Sequence, residues 1–355
     1  MKYISLFSGI EAATVAWEPL GWEPVAFCEI DAFPSAVLAH RFPEVPNHGD
    51  ITKVDWRKYR GEIDIVVGGS PCQSFSIAGK REGLAGESGL MFEYIRAVQE
   101  IMPRYFVWEN VPGALTSERG AAFGQLLTEM DALGYGLAWR VLDAQFFGVA
   151  QRRERVFLVG CPGDAERAAE ILFERESLRW DSPSSREKRK EFAAETKRGV
   201  GSGSGEGNCL TPWDCQSKRI YDPFGCSPTL SSNNKGGSGS IQPTVFCLQG
   251  SMIGRTDKNG PQGDGINKDV SFTLNTIDRH AVVAPTQVRK LTPRECERLQ
   301  GFPDDWTLIP WKGKPADQCL DGPRYKALGN SMAVPVMRWI GERIEKVNTW
   351  RRMTE

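Results

Sequence analysis

The chain has 355 residues, 40% of them hydrophobic and 25% charged, with a formal net charge of −1 and nine cysteines. This size accommodates two domains, or one with a large insertion, and the balanced charge excludes a globally basic nucleic-acid binder, leaving only a local basic face for such a partner. The scattered cysteines form no Cys-x-x-Cys pair, which argues for reduced thiols over a disulfide framework or a zinc site, and no run approaches the roughly 18 apolar residues of a membrane span.

The first 160 residues alternate strand-like and helix-like runs, the pattern of an α/β, doubly wound parallel sheet. Residues 3–7 read as the first strand and residues 11–20 as the helix after it. Because Met1-Lys2-Tyr3-Ile4 enters that strand at once, no signal peptide is expected. Further strands are expected over 24–27, 63–67, 105–108 and 155–159, with Leu90, Tyr94, Val98 and Ile101 at helical spacing between them.

Near residue 162 the character changes. Residues 163–198 are strongly charged, and the Gly-, Ser- and Asn-rich stretches 199–208 and 233–240 follow. The region to about 288 is rich in turn residues and reads as irregular and β-leaning. Beyond residue 320, Val334, Met337, Ile340, Ile344 and Val347 make one apolar stripe of a helix, with Pro335 in its first turn. Such a stripe must pack on something, most simply the first domain. The expected organisation is a core over 1–165, a smaller domain over 166–310, and a segment over 311–355 that returns to the core.

Two places in this plan carry chemistry. Gly69-Ser70-Pro71-Cys72 directly follows the apolar run ending at Gly68, and Pro71 keeps Ser70 extended, so Cys72 is presented from a stiff turn at a strand's carboxyl end. Ligands bind at that edge in open α/β sheets. Glu109 stands at the end of a later strand, and Gln151-Arg152-Arg153-Glu154-Arg155 at the lip of the next. A thiol, an acid and guanidinium groups together suit nucleophilic attack on an electron-poor ring, with a proton donor and a stabilising charge at hand.

The second place is Phe7-Ser8-Gly9-Ile10, which opens a helix; Glu29, twenty residues after Gly9, stands where an acid accepts hydrogen bonds from ribose hydroxyls. Asp50 and Ile51 end the next unit, near an adenine edge. A nicotinamide dinucleotide is the rival ligand, but Glu11 and Ala12 stand where further glycines would be wanted. An acid there would repel pyrophosphate, whereas S-adenosylmethionine carries no phosphate.

Taken in order, Phe7-Ser8-Gly9, Glu29, Gly49-Asp50, Pro71-Cys72-Gln73, Gly89-Leu90-Met91-Phe92, Glu109-Asn110-Val111, residues 151–155, residues 289–295 with 299–303, and residues 329–335 resemble the motifs of the DNA (cytosine-5)-methyltransferase family, of bacterial or phage type. The resemblance implies a Rossmann-like methyltransferase core, with an irregular target-recognition domain inserted before the C-terminal helix. It implies methyl transfer from S-adenosyl-L-methionine to C5 of a flipped-out cytosine through a covalent bond from Cys72 to C6. Glu109 is then the partner of N3, while Arg153 and Arg155 contact the base or hold the site. Phe7, Ser8, Gly9, Ile10, Glu29, Ile30, Asp50, Ile51, Pro71, Leu90, Asn330 and Ser331 would form the cofactor pocket.

Double-stranded DNA is the implied partner. Gln73, Lys80 and Arg81, in a glycine-containing segment expected to close as a lid, and Thr273-Leu274 in the recognition region are the candidate DNA contacts. A cognate restriction endonuclease acting separately, a monomeric state and a cytoplasmic location complete the expectation, with no metal and no membrane. A tRNA-directed relative would carry a Cys-Phe-Thr element, which is absent here; a non-catalytic DNA-binding descendant would lack Cys72 or Glu109, and both are present.

Overall fold

The computed structural model describes residues 1–71, 89–173, 246–248, 266–268, 270–274, 281–284 and 287–354. Six strands form one sheet: β1 (Lys2–Leu6), β2 (Glu23–Cys28), β3 (Ile65–Gly68), β4 (Tyr105–Asn110), β5 (Tyr135–Asp143) and β6 (Glu154–Pro162), in the order β2-β1-β3-β4-β6-β5. β1 to β4 are mutually parallel, but β6 runs antiparallel to both β4 and β5. The sheet is therefore mixed, which corrects the all-parallel expectation. β5 is absent from the sequence reading because Arg140 and several half-buried positions interrupt its apolar pattern.

Both faces of the sheet are covered, so its central strands are apolar throughout. Alternation divides them between two cores. Ile65, Val67, Tyr105 and Val107 face one side, while Val66, Phe106 and Trp108 face the other. The second side receives α3 (Gly89–Ile101) and α4 (Ala121–Ala132). The first receives α1 (Ala12–Trp17), α2 (Ala32–Arg41) and α5 (Ala165–Leu172).

Three further helices, α6 (Pro293–Gln300), α7 (Asp321–Asn330) and α8 (Val334–Thr354), complete the core. On α8 the expected stripe is buried in the first-side core. A Cβ at Gly341 would lie 2.6 Å from the Trp17 indole, so only glycine allows α8 to approach α1 this closely. The Trp17 indole then donates to the Met337 carbonyl at 2.8 Å, and Tyr105 donates to Asn348 at 2.6 Å. Among the described residues no helix is long and apolar enough to cross a membrane.

The return to the core begins earlier than residue 311. Leu291, Cys296, Leu299, Phe302 and Ile309 are all buried in the first-side core. Arg41 on α2 donates to the Trp306 carbonyl, and the Trp306 indole donates to the Ile10 carbonyl at 2.9 Å. A buried Glu297–Thr307–Arg324 network ties α6 to α7. Residues 291–310 thus belong with the core. At the other boundary, α5 packs on the same side and extends the core to Leu172. Between these limits the strands β7 (Phe246–Leu248), β8 (Ile266–Lys268), β9 (Ala281–Ala284) and β10 (Gln287–Lys290) form a separate antiparallel sheet, ordered β10-β9-β7-β8.

Candidate active site

The direction of β6 builds the site. Because it runs opposite to β4, its first residues lie beside the last residues of β4, with Phe157 opposite Glu109 and Val156 opposite Asn110. Arg155 Nε thereby comes within 3.1 Å of Glu109 Oε1, with both side chains largely buried. Burial raises the Glu109 carboxyl above its ordinary range, and Arg155, then Arg153, pull it partly back. The result is an acid that holds its proton more tightly than a surface glutamate, paired with a guanidinium that orients it.

The turn after β3 is fastened to the same edge. The Trp108 indole donates to the Ser70 hydroxyl at 3.1 Å, and Asn110 Nδ2 donates to the Ser70 carbonyl at 3.2 Å. Gly69 is pressed against the acid: a Cβ there would lie 2.8 Å from Glu109 Oε2 and 3.0 Å from the Glu109 carbonyl. A Gly69→Ala variant is therefore expected to displace the carboxyl. Since misplacing a catalytic group by about 1 Å costs on the order of 100-fold, single-turnover kinetics should show a loss of about that size. A loss below fivefold in a folded variant would show that Gly69 does not set the carboxyl's position.

The Arg153 guanidinium is buried and, among the described residues, bonds only to backbone carbonyls. It donates to the carbonyls of Leu274 at 2.9 Å, Gly329 at 3.1 Å and Ser331 at 2.7 Å. Of the two roles expected for it, holding the site is the one these bonds support. Leu274, expected at the DNA, instead has its side chain buried in the first-side core and its carbonyl engaged by Arg153. Thr273 donates to the Arg152 carbonyl at 2.5 Å, and Ser271 bridges to Gln151. This short segment acts as a strap along the lip of β6.

One cavity joins the two halves of the site. Ser5, Phe7, Ser8 and Gly9 line it from β1 and the turn after it, Val67 and Gly69 from β3, and Glu109 from β4; Asn330, Ser331 and Met332 close it. Glu29 borders the loop after β1, with Oε2 accepting from the Gly9 amide at 2.8 Å and Oε1 from the Asp31 amide at 2.7 Å. Asp50 Oδ1 caps the turn at Thr52, while among the described residues Oδ2 meets only the exposed Lys53 ammonium.

Ile30 is 70% exposed, Ile51 is buried, and Ile10 is buried with its carbonyl spent on Trp306. Ile10 thus supports the loop from behind. Pro71 and Leu90 flank the segment 72–88; Cys72, Gln73, Lys80 and Arg81 fall in that segment, outside the described residues.

A buried acid with a raised carboxyl, at one end of a cavity that runs to the Gly9 loop, fits a methyl transferase, and comparison with known proteins decides the family. Residues 1–346 match the family model of C-5 cytosine-specific DNA methylases. The chain belongs to that family. Its general reaction is methylation of cytosine at carbon 5, dependent on S-adenosylmethionine and proceeding through a covalent enzyme intermediate.

The Type II methyltransferase M.NgoPII of Neisseria gonorrhoeae is 31% identical over 98% of this chain and 96% of its own length. A DNA N-6-adenine-methyltransferase of Escherichia phage P1 is 35% identical over 97% of this chain; the chain spans 61% of that relative's length. The crystal structure of S. pombe Dnmt2 methyltransferase shares the fold, with a TM-score of 0.58 at 16% identity over 98% of this chain and 99% of that one.

Met332 and Trp306 were not singled out by sequence. Met332 lies inside the motif at 329–335 and closes the cavity, whereas Trp306 reaches the cofactor-side loop from 296 residues away. No local pattern signals a contact of that range.

Proposed function

We propose that this chain methylates carbon 5 of a cytosine swung out of duplex DNA, with Cys72 as nucleophile and Glu109 as acid. The observation that carries this reading is the single cavity that joins the Gly9 loop to Glu109, so that a methyl donor and a base would meet at one acid. S-adenosylmethionine, when bound, supplies an electrophilic methyl group on a sulfonium. Phe7 to Gly9, Glu29, Asn330 and Ser331 would hold it there.

The Cys72 thiolate adds to C6 as the Glu109 carboxyl gives its proton to N3, so the ring becomes a neutral enamine with electron density at C5. C5 would then take the methyl group as the carbon–sulfur bond breaks, with the bonding pair left on sulfur. Loss of the C5 proton to water, expulsion of the Cys72 thiolate and return of the N3 proton to Glu109 restore the aromatic ring. Arg155 orients the acid and places positive charge beside the pyrimidine, while Arg153 fixes the surrounding backbone.

Gln73, Lys80, Arg81 and Thr273 are proposed on the DNA side, with the region between the β6 lip and β10 selecting the sequence. The chain would act as a monomer, with a restriction endonuclease as a separate functional partner.

Transfer of a labelled methyl group to duplex DNA, followed by nucleoside analysis, tests the reading. The expected product is 5-methylcytosine. N6-methyladenine in its place would favour the activity named for the phage P1 relative, and absence of any transfer would overturn the proposal.

A further inference from the structure

The loop between β1 and α1 is strained in a place where glycine would be cheap. Phe7, Gly9 and Glu11 all have positive φ, at 51°, 57° and 67°. A non-glycine residue pays about 1–2 kcal/mol for that conformation, and such strain persists where surrounding structure imposes it. Here the Trp306 indole grips the Ile10 carbonyl next to Glu11.

Glu11 is also fully buried, although it carries a carboxylate. Oε1 accepts from the Thr14 amide and from the Thr14 hydroxyl, each at 3.1 Å. Among the described residues Oε2 has no hydrogen-bond partner. Its chain neighbours Gly9, Ala12 and Ala13 line the cavity that ends at Glu109, as does Ser5 on β1.

A buried carboxylate ordinarily has a cation or a full set of donors. Around Glu11, a hydrogen bond from the Ser5 side chain on β1 and those from Thr14 on α1 only partly offset burial, and Glu29 at the end of β2 adds a second negative charge. Tyr3 on β1 shares a 2.6 Å hydrogen bond with the Thr14 hydroxyl; burial, with Glu11 beside it, raises its phenol so that it stays neutral. These groups leave a negative charge without a counter-charge behind a cavity wall.

We propose that Glu11, buried behind this wall with no cation beside it, is the counter-charge for a sulfonium in the cavity, so that the site favours the charged methyl donor over its neutral thioether product. The inference rests on reading the cavity as the cofactor site. Methyl transfer leaves the sulfur–methyl bonding pair on sulfur and removes the positive charge. Glu11 then faces no cation and reverts toward its protonated form, which loosens the hold on the product. Burial pushes the carboxyl up to about 7, so both forms are accessible near neutral pH.

Titration calorimetry on the full chain and on Glu11→Gln tests this. The amide keeps an oxygen to accept from Thr14. Three ligands separate charge from shape: S-adenosylmethionine, its thioether product S-adenosylhomocysteine, and sinefungin, in which an ammonium stands in for the sulfonium. In the variant the two cationic ligands are expected to bind about tenfold more weakly, a loss of the size that follows removal of an opposite charge from a buried group, while the thioether changes less than twofold.

In the unsubstituted chain the preference for the sulfonium over the thioether should rise severalfold from pH 6 to pH 8. In Glu11→Gln it should stay flat. Parallel weakening of all three ligands, or an unchanged preference, would overturn the inference and leave Glu11 as a loop brace. Failure of the unsubstituted chain to bind any of them would overturn the cofactor reading of the cavity as well.

Discussion

Replacing Cys72 by alanine is expected to abolish methyl transfer while leaving cofactor affinity within about twofold. Without a thiolate adding at C6, the ring stays aromatic and C5 has too little electron density to take a methyl group. Loss of a covalent nucleophile therefore removes the pathway rather than slowing one step of it, and a fall of at least about 10³-fold is expected.

Trapping gives a second measurement that does not depend on turnover. In duplex DNA carrying 5-fluorocytosine at the target, fluorine replaces the C5 proton that must leave before the thiolate can be expelled. The unsubstituted chain should remain attached through a bond that survives denaturing electrophoresis, and Cys72→Ala should not. Attachment by the variant would show that another residue forms the bond. Full turnover by the variant would remove Cys72 from the mechanism.

The elements legible in the sequence were those whose pattern is local. The runs at 65–67 and 105–108 are continuous and β-branched or aromatic because both faces of the sheet are covered. The α8 stripe likewise needs only one helix's own periodicity. What escaped was directional or long-range. Nothing in residues 154–159 reveals that their strand runs backwards, yet that reversal is what sets Arg155 against Glu109.

The fate of Arg153 was equally hidden. A sequence shows a guanidinium at a strand lip, but its three carbonyl partners come from residues 274, 329 and 331, and chain folding alone assembles them. The early return at residue 291 was misplaced for a related reason. Two of its buried residues, Cys296 and Leu299, sit on a short helix with the polar sequence Pro-Arg-Glu-Cys-Glu-Arg-Leu-Gln, whose acid at position 297 is neutralised by Arg324 rather than by solvent.

Glu109→Gln is expected to reduce turnover about 10² to 10⁴-fold, the usual contribution of a positioned proton donor. Glutamine fills the same volume and can donate a hydrogen bond from its amide, but it cannot deliver a proton to N3. The addition step then has to build negative charge on the ring, with the Arg155 and Arg153 guanidiniums left to offset it.

The pH dependence gives the sharper signature. Burial raises the Glu109 carboxyl and the two arginines lower it less, so the folded chain keeps this proton to higher pH than an exposed glutamate would. Single-turnover transfer should therefore fall as pH rises through that raised value, and the fall should be missing from Glu109→Gln. Retention of the same alkaline limb in the variant would assign it to another group. Turnover within tenfold of the unsubstituted chain would show that N3 receives its proton from elsewhere, and the buried pair of Glu109 and Arg155 would then be a brace for the strand ends rather than the acid of the reaction.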